Sequence, residues 1–240
     1  MCYLIGCYDS PVKSRLGSLN DCPLIFCSEA PSPSRDRIVY IDGFNLYYGA
    51  VRGTPHKWLN IEKYFSLLRP DDDIQQIHYF TAPIVGPTRP NQDVYLRAMA
   101  TLPLVDVVLG KFKKKRLVCG VKACAHIGDR LFDALEEKRT DVNIGIYMLD
   151  DAYQNRCDTL ILVSGDSDLV PALNMIKTRF PNKTLIVYVP TRNPIRGAAV
   201  ELRSAADKDR NLPLNLLALS QFPNRLPDGA GGFITKPAAW

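Results

Sequence analysis

No apolar run in this sequence approaches the roughly 20 residues that an α-helix needs to cross a bilayer. The longest runs, Leu160–Val163 and Leu185–Val189, have the length of buried strands, and we expect no membrane partner. Disorder throughout is excluded as well, because 46% of the 240 residues are hydrophobic and 23% are charged, as in ordinary globular proteins. A chain of this length forms one large domain or two small ones.

Nothing in the cysteine pattern indicates a disulfide framework. The count of seven is odd and the chain is long for a disulfide-stapled protein, so reduced thiols in a cytoplasmic protein fit best. Zinc sites use C-x2–4-C spacings, and three C-x4-C pairs occur, but the first two pairs flank a stretch without histidine. Cys119, Cys124 and His126 could supply three zinc ligands; no fourth is evident, and a plain hairpin is the preferred interpretation.

Charge is in balance over most of the chain and in excess at one place. The formal net charge is +5, and five basic residues account for all of it: Lys111, Lys113, Lys114, Lys115 and Arg116. A local excess of this kind favours contact with a polyanion over a generally adhesive surface. The alternative is a basic loop that is only solvated.

The chain divides into three parts. Residues 1–35 lack apolar periodicity and close with a Pro-Ser-Pro-Ser tract, so we expect a poorly ordered leader. Residues 36–210 are predicted to form one domain. Residues 211–240, rich in leucine and proline, are predicted to be a C-terminal tail that packs on the domain.

Short apolar runs alternate with helical patterns across the predicted domain. Strands are predicted at Ile38–Ile41, Ile74–Phe80, Val105–Leu109, Thr159–Val163 and Thr184–Val189. Helices are predicted at Ile61–Leu68, Asn91–Met99, from Asp141 onward, and at Leu169–Arg179. This alternation predicts crossover units, and hence an α/β three-layer sandwich with a mainly parallel central sheet.

The helix from Asp141 shows a periodic apolar face. Its members are Val142, Gly145, Ile146, Leu149, Ala152 and Tyr153. This spacing predicts that they face the core, with Thr140 able to cap the start of the helix.

Four aspartates fall at predicted strand ends and at a helix start. Asp42 follows the first strand, Asp166 and Asp168 follow Thr159–Val163, and Asp141 lies in the first turn of its helix. Ligands of parallel sheets bind beyond the carboxyl ends of the strands, so these carboxylates can converge there. A hard cation, Mg²⁺ or Mn²⁺, would relieve their repulsion and suit phosphoryl transfer. The alternative is that each aspartate only caps a helix or forms a turn.

Three segments, in order, resemble motifs of one family. They are Tyr40–Tyr48 (YIDGFNLYY), Thr140–Ile144 (TDVNI) and Leu162–Leu169 (LVSGDSDL). They resemble NYN domains, the PIN-like nuclease family that includes the LabA-like bacterial proteins. The resemblance covers roughly residues 37–188 and implies a PIN-like fold with an acidic pocket that binds Mg²⁺ or Mn²⁺.

The resemblance also implies an activity and a set of site residues. It implies a metal-dependent ribonuclease acting on single-stranded RNA, with Asp42, Asp141, Asp166 and Asp168 as metal ligands and catalytic residues. Asn45 would position a water or phosphate or, alternatively, cap a short helix, and Ser164 could hydrogen-bond a carboxylate. The alternatives are a non-catalytic RNA-binding or regulatory module that keeps the acidic pocket, and a phosphohydrolase acting on small esters.

Substrate contacts can be expected from basic and aromatic side chains. The basic run together with Arg192 and Arg196 could follow an RNA backbone, which gives affinity without sequence choice. Phe44, Tyr47 and Tyr48 could stack on bases, although core packing suits at least two of them better. A homodimer stays open.

Overall fold

The computed structural model describes residues 36–121, 124–193 and 199–240. The predicted leader, residues 1–35, lies outside the described residues. The strands are β1 Asp36–Asp42, β2 Asp73–Thr81, β3 Val105–Leu109, β4 Lys111–Val118, β5 Leu131–Lys138, β6 Thr159–Val163, β7 Thr184–Val189, β8 Lys208–Asn211, β9 Arg225–Pro227 and β10 Phe233–Thr235. The helices are α1 Gly43–Leu46, α2 Ile61–Leu68, α3 Arg89–Met99, α4 Thr140–Tyr153, α5 Val170–Arg179, α6 Val200–Ala205 and α7 Leu216–Leu219, with a π-helical turn at Tyr47–Val51 and a 3-10 turn at Ser167–Leu169.

Six strands form a central sheet in the order β3-β2-β1-β6-β7-β8. Every neighbouring pair is parallel, so helices must cross over between strands, and α2, α3 and α5 do so. The predicted α/β sandwich with a mainly parallel sheet is confirmed. All residues of β6 are buried, as expected for a strand covered on both faces.

The sheet separates two hydrophobic cores. Alternate residues of β1 point to opposite sides, with Val39 and Ile41 in one core and Ile38 and Tyr40 in the other. Helix α3 and the C-terminal segment cover the first core, and helices α4 and α5 cover the second. No helix in the described part of the chain has the length and apolar character to cross a bilayer.

Helix α4 turns inward a face that shares only Ala152 and, in part, Leu149 with the predicted one. Ile144 and Met148 are fully buried, whereas Val142 is 64% exposed and Tyr153 is 78% exposed. The cause is a buried polar contact, since the Tyr40 hydroxyl donates to Asp151 at 2.6 Å and holds the Asp151 side of the helix against the sheet. The apolar spacing alone could not include an aspartate in the buried face.

The start of α4 also differs from the prediction. Thr140 does not cap the helix but is its first residue, and the cap position is Arg139, whose φ is +86°. The Thr140 hydroxyl and amide both donate to the Glu137 carboxylate. Glu137 therefore satisfies the helix start that the threonine was expected to cap.

The basic run is a strand rather than a loop. It forms most of β4, which pairs with β5 in an antiparallel hairpin from Lys111↔Lys138 to Val118↔Leu131. The expectation of a basic loop is wrong, because the charged residues pair with a second extended segment that has no apolar periodicity of its own. The segment that carries Cys119 and Cys124 connects the two strands of this hairpin, and whether it binds zinc stays a prediction.

The C-terminal segment covers one side of the first core. The indole of Trp58 donates to the Pro223 carbonyl at 2.9 Å, and the Tyr64 hydroxyl donates to the Pro213 carbonyl at 2.8 Å. Leu217 and Phe222 are buried in the same core. This segment therefore holds the α2 side of the molecule in place.

Candidate active site

The site lies where the strand order of the sheet changes direction. Strand β1 has β2 on one side and β6 on the other, and its partners at the carboxyl end are Phe80 and Val163. Asp42 is the last residue of β1, and Ser164 follows β6 directly. A crevice at such a switch point is where parallel sheets bind ligands.

Asp42 is held by three hydrogen bonds. Its side chain is 3% exposed; one carboxylate oxygen accepts from the Asn45 amide at 2.9 Å. The other oxygen accepts from the Asn45 side chain at 2.5 Å and from the Ser164 hydroxyl at 3.1 Å. Burial raises the pKa of Asp42 above its usual value even though these bonds lower it, and the charge of Asp166 adds to the rise. The site therefore holds a buried acidic group in a single orientation.

Ser164 and Asn45 connect Asp42 to the loop after β6. The Ser164 oxygen accepts from the Asp166 amide at 3.1 Å, and the Asn45 side-chain oxygen accepts from the Gly165 amide at 3.2 Å. The predicted bond from Ser164 to a carboxylate is confirmed. Asn45 does not cap the short helix α1, because Asp42 does so; its side chain instead joins the ends of β1 and β6.

Asp141 faces this loop from the start of α4. Its pKa is raised to about 6, first by burial and then by the charges of Asp42, Asp166, Glu137 and Asp168. These side chains therefore lie in one electrostatic field although they come from four separate segments. We call Asp42, Asp141, Asp166 and Asp168 the acidic cluster.

The two aspartates after β6 differ in setting. Asp168 is exposed, and its amide donates to the Asp166 carboxylate at 3.0 Å. Asp166 thus caps the 3-10 turn and is partly exposed, which leaves its second oxygen open to a ligand.

Glu137 is an acidic neighbour that the sequence reasoning missed. Its carboxylate accepts from Thr140, and its charge raises the pKa of Asp141. The available signal was an acidic residue just before a helix start, where the helix dipole favours negative charge.

The cluster offers only carboxylate oxygens, which suit Mg²⁺ or Mn²⁺ better than softer metals. In the described part of the chain, no three His, Cys, Asp or Glu side chains converge closely enough to enclose an ion by themselves. A magnesium ion bound here would keep several waters, as it does where one or two carboxylates hold it. The donor chemistry therefore fits such an ion.

The predicted RNA-contacting residues divide into groups with different partners. On β4, Lys114 and Arg116 lie 3.8 and 3.6 Å from Asp133, and Lys115 lies 3.6 Å from Glu136. Strand β5 therefore offsets part of the positive charge that the sequence shows as an excess. Lys113 also lies opposite Glu136, and Lys111 opposite Lys138.

Arg192 contacts protein backbone. Its guanidinium donates to the Ala50 carbonyl at 3.1 and 3.3 Å and to the Arg52 carbonyl. These bonds close the end of the π-helical turn, where carbonyls lack helical partners. Arg196, the other predicted basic contact, lies outside the described residues.

The hairpin approaches the acidic cluster on one face. Phe112 lies edge-on to Phe44 with ring centroids 5.6 Å apart, and it is paired with Glu137. Because side chains of a strand alternate, Lys114 and Arg116 share the face of Phe112, whereas Lys113 and Lys115 lie on the opposite face. On this face of β4, two basic side chains, Lys114 and Arg116, therefore follow Phe112 in the direction away from the acidic cluster.

A cavity of about 300 Å³ lies beside the cluster on the α3 side of the sheet. Its aromatic lining comprises Phe44, Tyr47, Tyr48, Tyr79, Tyr95 and Trp240. Burial and then the charge of Asp42 raise the pKa of Tyr79, so the cavity wall adjoins the cluster. The sequence did not predict this cavity, because its walls come from distant segments, among them the last residue of the chain.

Gly43, the residue after Asp42, explains how closely the cavity approaches the acidic cluster. A Cβ on Gly43 would lie 2.7 Å from the Phe80 carbonyl oxygen and 2.9 Å from the Tyr79 hydroxyl. Any larger residue would push the chain away from β2. Gly43 therefore allows the cavity and the acidic cluster to share one wall.

Comparison with known proteins identifies related sequences. The family model of the NYN domain matches residues 37–212. The 6-hydroxy-3-succinoylpyridine 3-monooxygenase HspA of Pseudomonas putida is 31% identical over an alignment 240 positions long, which covers 87% of this chain and 76% of that protein. A crystal structure of a protein of unknown function from Vibrio parahaemolyticus has a TM-score of 0.48 and 18% identity, covering 75% of this chain and 94% of that one.

Proposed function

Because the chain belongs to the NYN domain family, whose fold is that of PIN-like nucleases, we propose that it hydrolyses phosphodiester bonds of single-stranded RNA at the acidic cluster. The observation that supports this is that Asp42, Asp166 and Asp168, which come from two other segments of the chain, lie close enough to Asp141 for their charges to raise its pKa. Carboxylates that raise one another's pKa favour a bound divalent cation.

Asp42, Asp141, Asp166 and Asp168 would hold Mg²⁺ or Mn²⁺, one or two of them directly and the others through its waters, since no three of these side chains converge on one point in the described part of the chain. When bound, such an ion makes a water nucleophilic and offsets charge on the phosphodiester. The chain's own contribution is positional: Ser164 and Asn45 fix the Asp42 carboxylate and hold the loop that carries Asp166. We expect products with a 5′-phosphate and a 3′-hydroxyl, as the family resemblance implies.

The basic face of β4 would bind the RNA backbone. Lys114 and Arg116 follow Phe112 along the strand. Phe112 contacts Phe44, which lies two residues after Asp42 of the acidic cluster. Phosphate contacts of this kind position a strand without reading its sequence. We therefore expect these contacts to bind single-stranded RNA without selecting its sequence.

The first experiment is cleavage of labelled single-stranded RNA with Mn²⁺ or with EDTA. We expect metal-dependent products from the wild type and none from Asp166→Asn, because that change removes a ligand charge and keeps the side-chain shape. Asp150→Asn is the matched control, since Asp150 is exposed on α4 outside the cluster. Cleavage that persists in Asp166→Asn at equal purity would refute the proposal, and RNA binding without metal-dependent products would favour the non-catalytic module.

A second candidate function is oxygenation of a small aromatic heterocycle. The Pseudomonas putida relative carries the name of a pyridine monooxygenase, and the aromatic-lined cavity of about 300 Å³ is the observation that favours this function here. Such a reaction puts one atom of O₂ on the ring and reduces the other to water with two electrons from a reductant. Oxygen uptake with a hydroxypyridine and NADH, unchanged in Asp166→Asn, would support this candidate and not the nuclease.

A further inference from the structure

The cavity beside the acidic cluster has walls that are fixed before any ligand arrives. Both polar groups of Gln92 bond to backbone, one to the Ala82 carbonyl at 3.0 Å and the other to the Ile84 amide at 2.8 Å. The Tyr95 hydroxyl donates to the Leu59 carbonyl at 2.9 Å, and its ring lies 5.5 Å from that of Trp240. A site built in this way loses little conformational entropy on binding.

Two polar groups of the cavity have no partner in the described part of the chain. The Tyr79 side chain is 93% buried, since its exposed fraction is 7%, and its hydroxyl makes no hydrogen bond there. Lys57 is one of the residues that line the same cavity, and its ammonium makes no ion pair with a carboxylate of the described residues. The Tyr79 hydroxyl is accessible from the cavity, so a polar group of a bound ligand can bond to it.

The size of the cavity limits what it can hold. An apolar cavity of about 150 Å³ binds benzene, so about 300 Å³ accommodates one ring with substituents. Aromatic walls favour a flat ring, which can stack or meet their edges. A cation at the cavity favours an anionic substituent.

We propose that this cavity is a binding site for a single planar heteroaromatic ring that carries an acidic group. The ring lies among Tyr47, Tyr95 and Trp240, the acidic group pairs with Lys57, and the Tyr79 hydroxyl bonds to a polar ring atom. Two sources share this chemistry: a nucleotide of an RNA strand that runs into the acidic cluster, and a free heteroaromatic acid. The nucleotide source rests on the proposed nuclease activity and the free acid on the second candidate function, whereas binding itself needs no residue of the acidic cluster.

The test is the binding of two probes to the full-length protein in EDTA, measured by calorimetry. The probes are uridine 5′-monophosphate and 6-hydroxypyridine-3-carboxylate. Lys57→Met removes the charge with little change of volume, and Leu96→Trp fills the cavity from the α3 side. Lys63→Met is the matched control, because Lys63 is exposed on α2 and does not line the cavity.

We expect one probe to bind, with an affinity that falls about tenfold or more in Lys57→Met and in Leu96→Trp and is unchanged in Lys63→Met. Binding of the nucleotide alone would assign the cavity to the RNA strand, and binding of the pyridine acid alone would assign it to a free ligand. The proposal is overturned if neither probe binds at millimolar concentration, or if binding is the same in all three variants. Since no metal is present, RNA cleavage can succeed or fail independently of either result.

Discussion

At the scale of single residues, the acidic cluster lowers the stability of the folded protein at neutral pH. The pKa of Asp141 is about 6 in the folded protein, against an ordinary value of 3.8, because burial and four acidic neighbours disfavour its ionised form. The folded state therefore holds this proton more tightly than the unfolded chain. The protonated Asp141 side chain therefore stabilises the folded state fully below about pH 3.8, and this contribution is lost as the pH rises through 6.

Replacing this carboxylate should stabilise the protein at neutral pH. We expect Asp141→Asn to raise the free energy of unfolding at pH 7.5 by about 1 kcal/mol, after discounting for the partial exposure of the side chain to solvent. This gain in stability should shrink towards zero below pH 4, where the wild-type aspartic acid is as neutral as the asparagine of the variant. Urea unfolding in EDTA at both pH values measures it, and an equal or lower stability at pH 7.5 would contradict the explanation. Asp150→Asn, outside the cluster, should show no such pH-dependent gain.

At the scale of elements, the β4–β5 hairpin combines two functions that the sequence shows as one basic run. Its face with Phe112 and Glu137 meets α1 and the start of α4, and its other face points away from the cluster. Acidic residues of β5 pair with three of the basic side chains, which reduces the field without removing it. The two faces should therefore contribute differently to RNA binding.

This difference can be measured within one strand. We expect Lys114→Ala with Arg116→Ala to lower RNA affinity and to reduce the slope of log K against log salt by about 1 to 1.5, because two phosphate contacts are lost. Lys113→Ala with Lys115→Ala removes equal charge from the opposite face and should change the slope less. Filter binding in EDTA between low and moderate salt measures both pairs. Equal effects of the two pairs would show that only net charge matters.

At the scale of the whole molecule, the two ends of the chain should matter unequally. Residues of the last 30 positions complete the first core, among them Leu212, Leu217, Phe222, Leu226 and Ile234, all at most 6% exposed. Each buried side chain of this kind stabilises the fold by about 1.5–3 kcal/mol. Their sum is comparable with the roughly 5–15 kcal/mol by which a domain is stable.

A chain that stops after Asn211 should therefore fail to fold cooperatively, whereas a chain that begins at Asp36 should keep its melting temperature. Circular dichroism melting of both shortened forms, with the full chain beside them, measures this. A cooperative transition in the first form would show that the C-terminal segment is dispensable. A large loss in the second would refute the prediction that residues 1–35 are a poorly ordered leader.

Much of the fold could be predicted because it depends on local patterns. Continuous apolar runs placed β3, β6 and β7 at the residues where the structure has them, and the spacing between runs required parallel crossovers. The same pattern put Asp42 and Asp166 after two strands of one parallel sheet, whose carboxyl ends share one edge. Strand ends and chain order are local properties, and one sequence determines them.

The tertiary structure alone decided which distant side chains meet. Asp151 of α4 reached Tyr40 and turned that helix, Glu137 came to Asp141, and β5 came beside the basic run. The cavity formed where α1, α3 and Trp240 approach each other. These contacts join residues far apart in the chain, and their energies depend on burial and on a shared electrostatic field. Both exist only once the chain has folded, so no local pattern carries them.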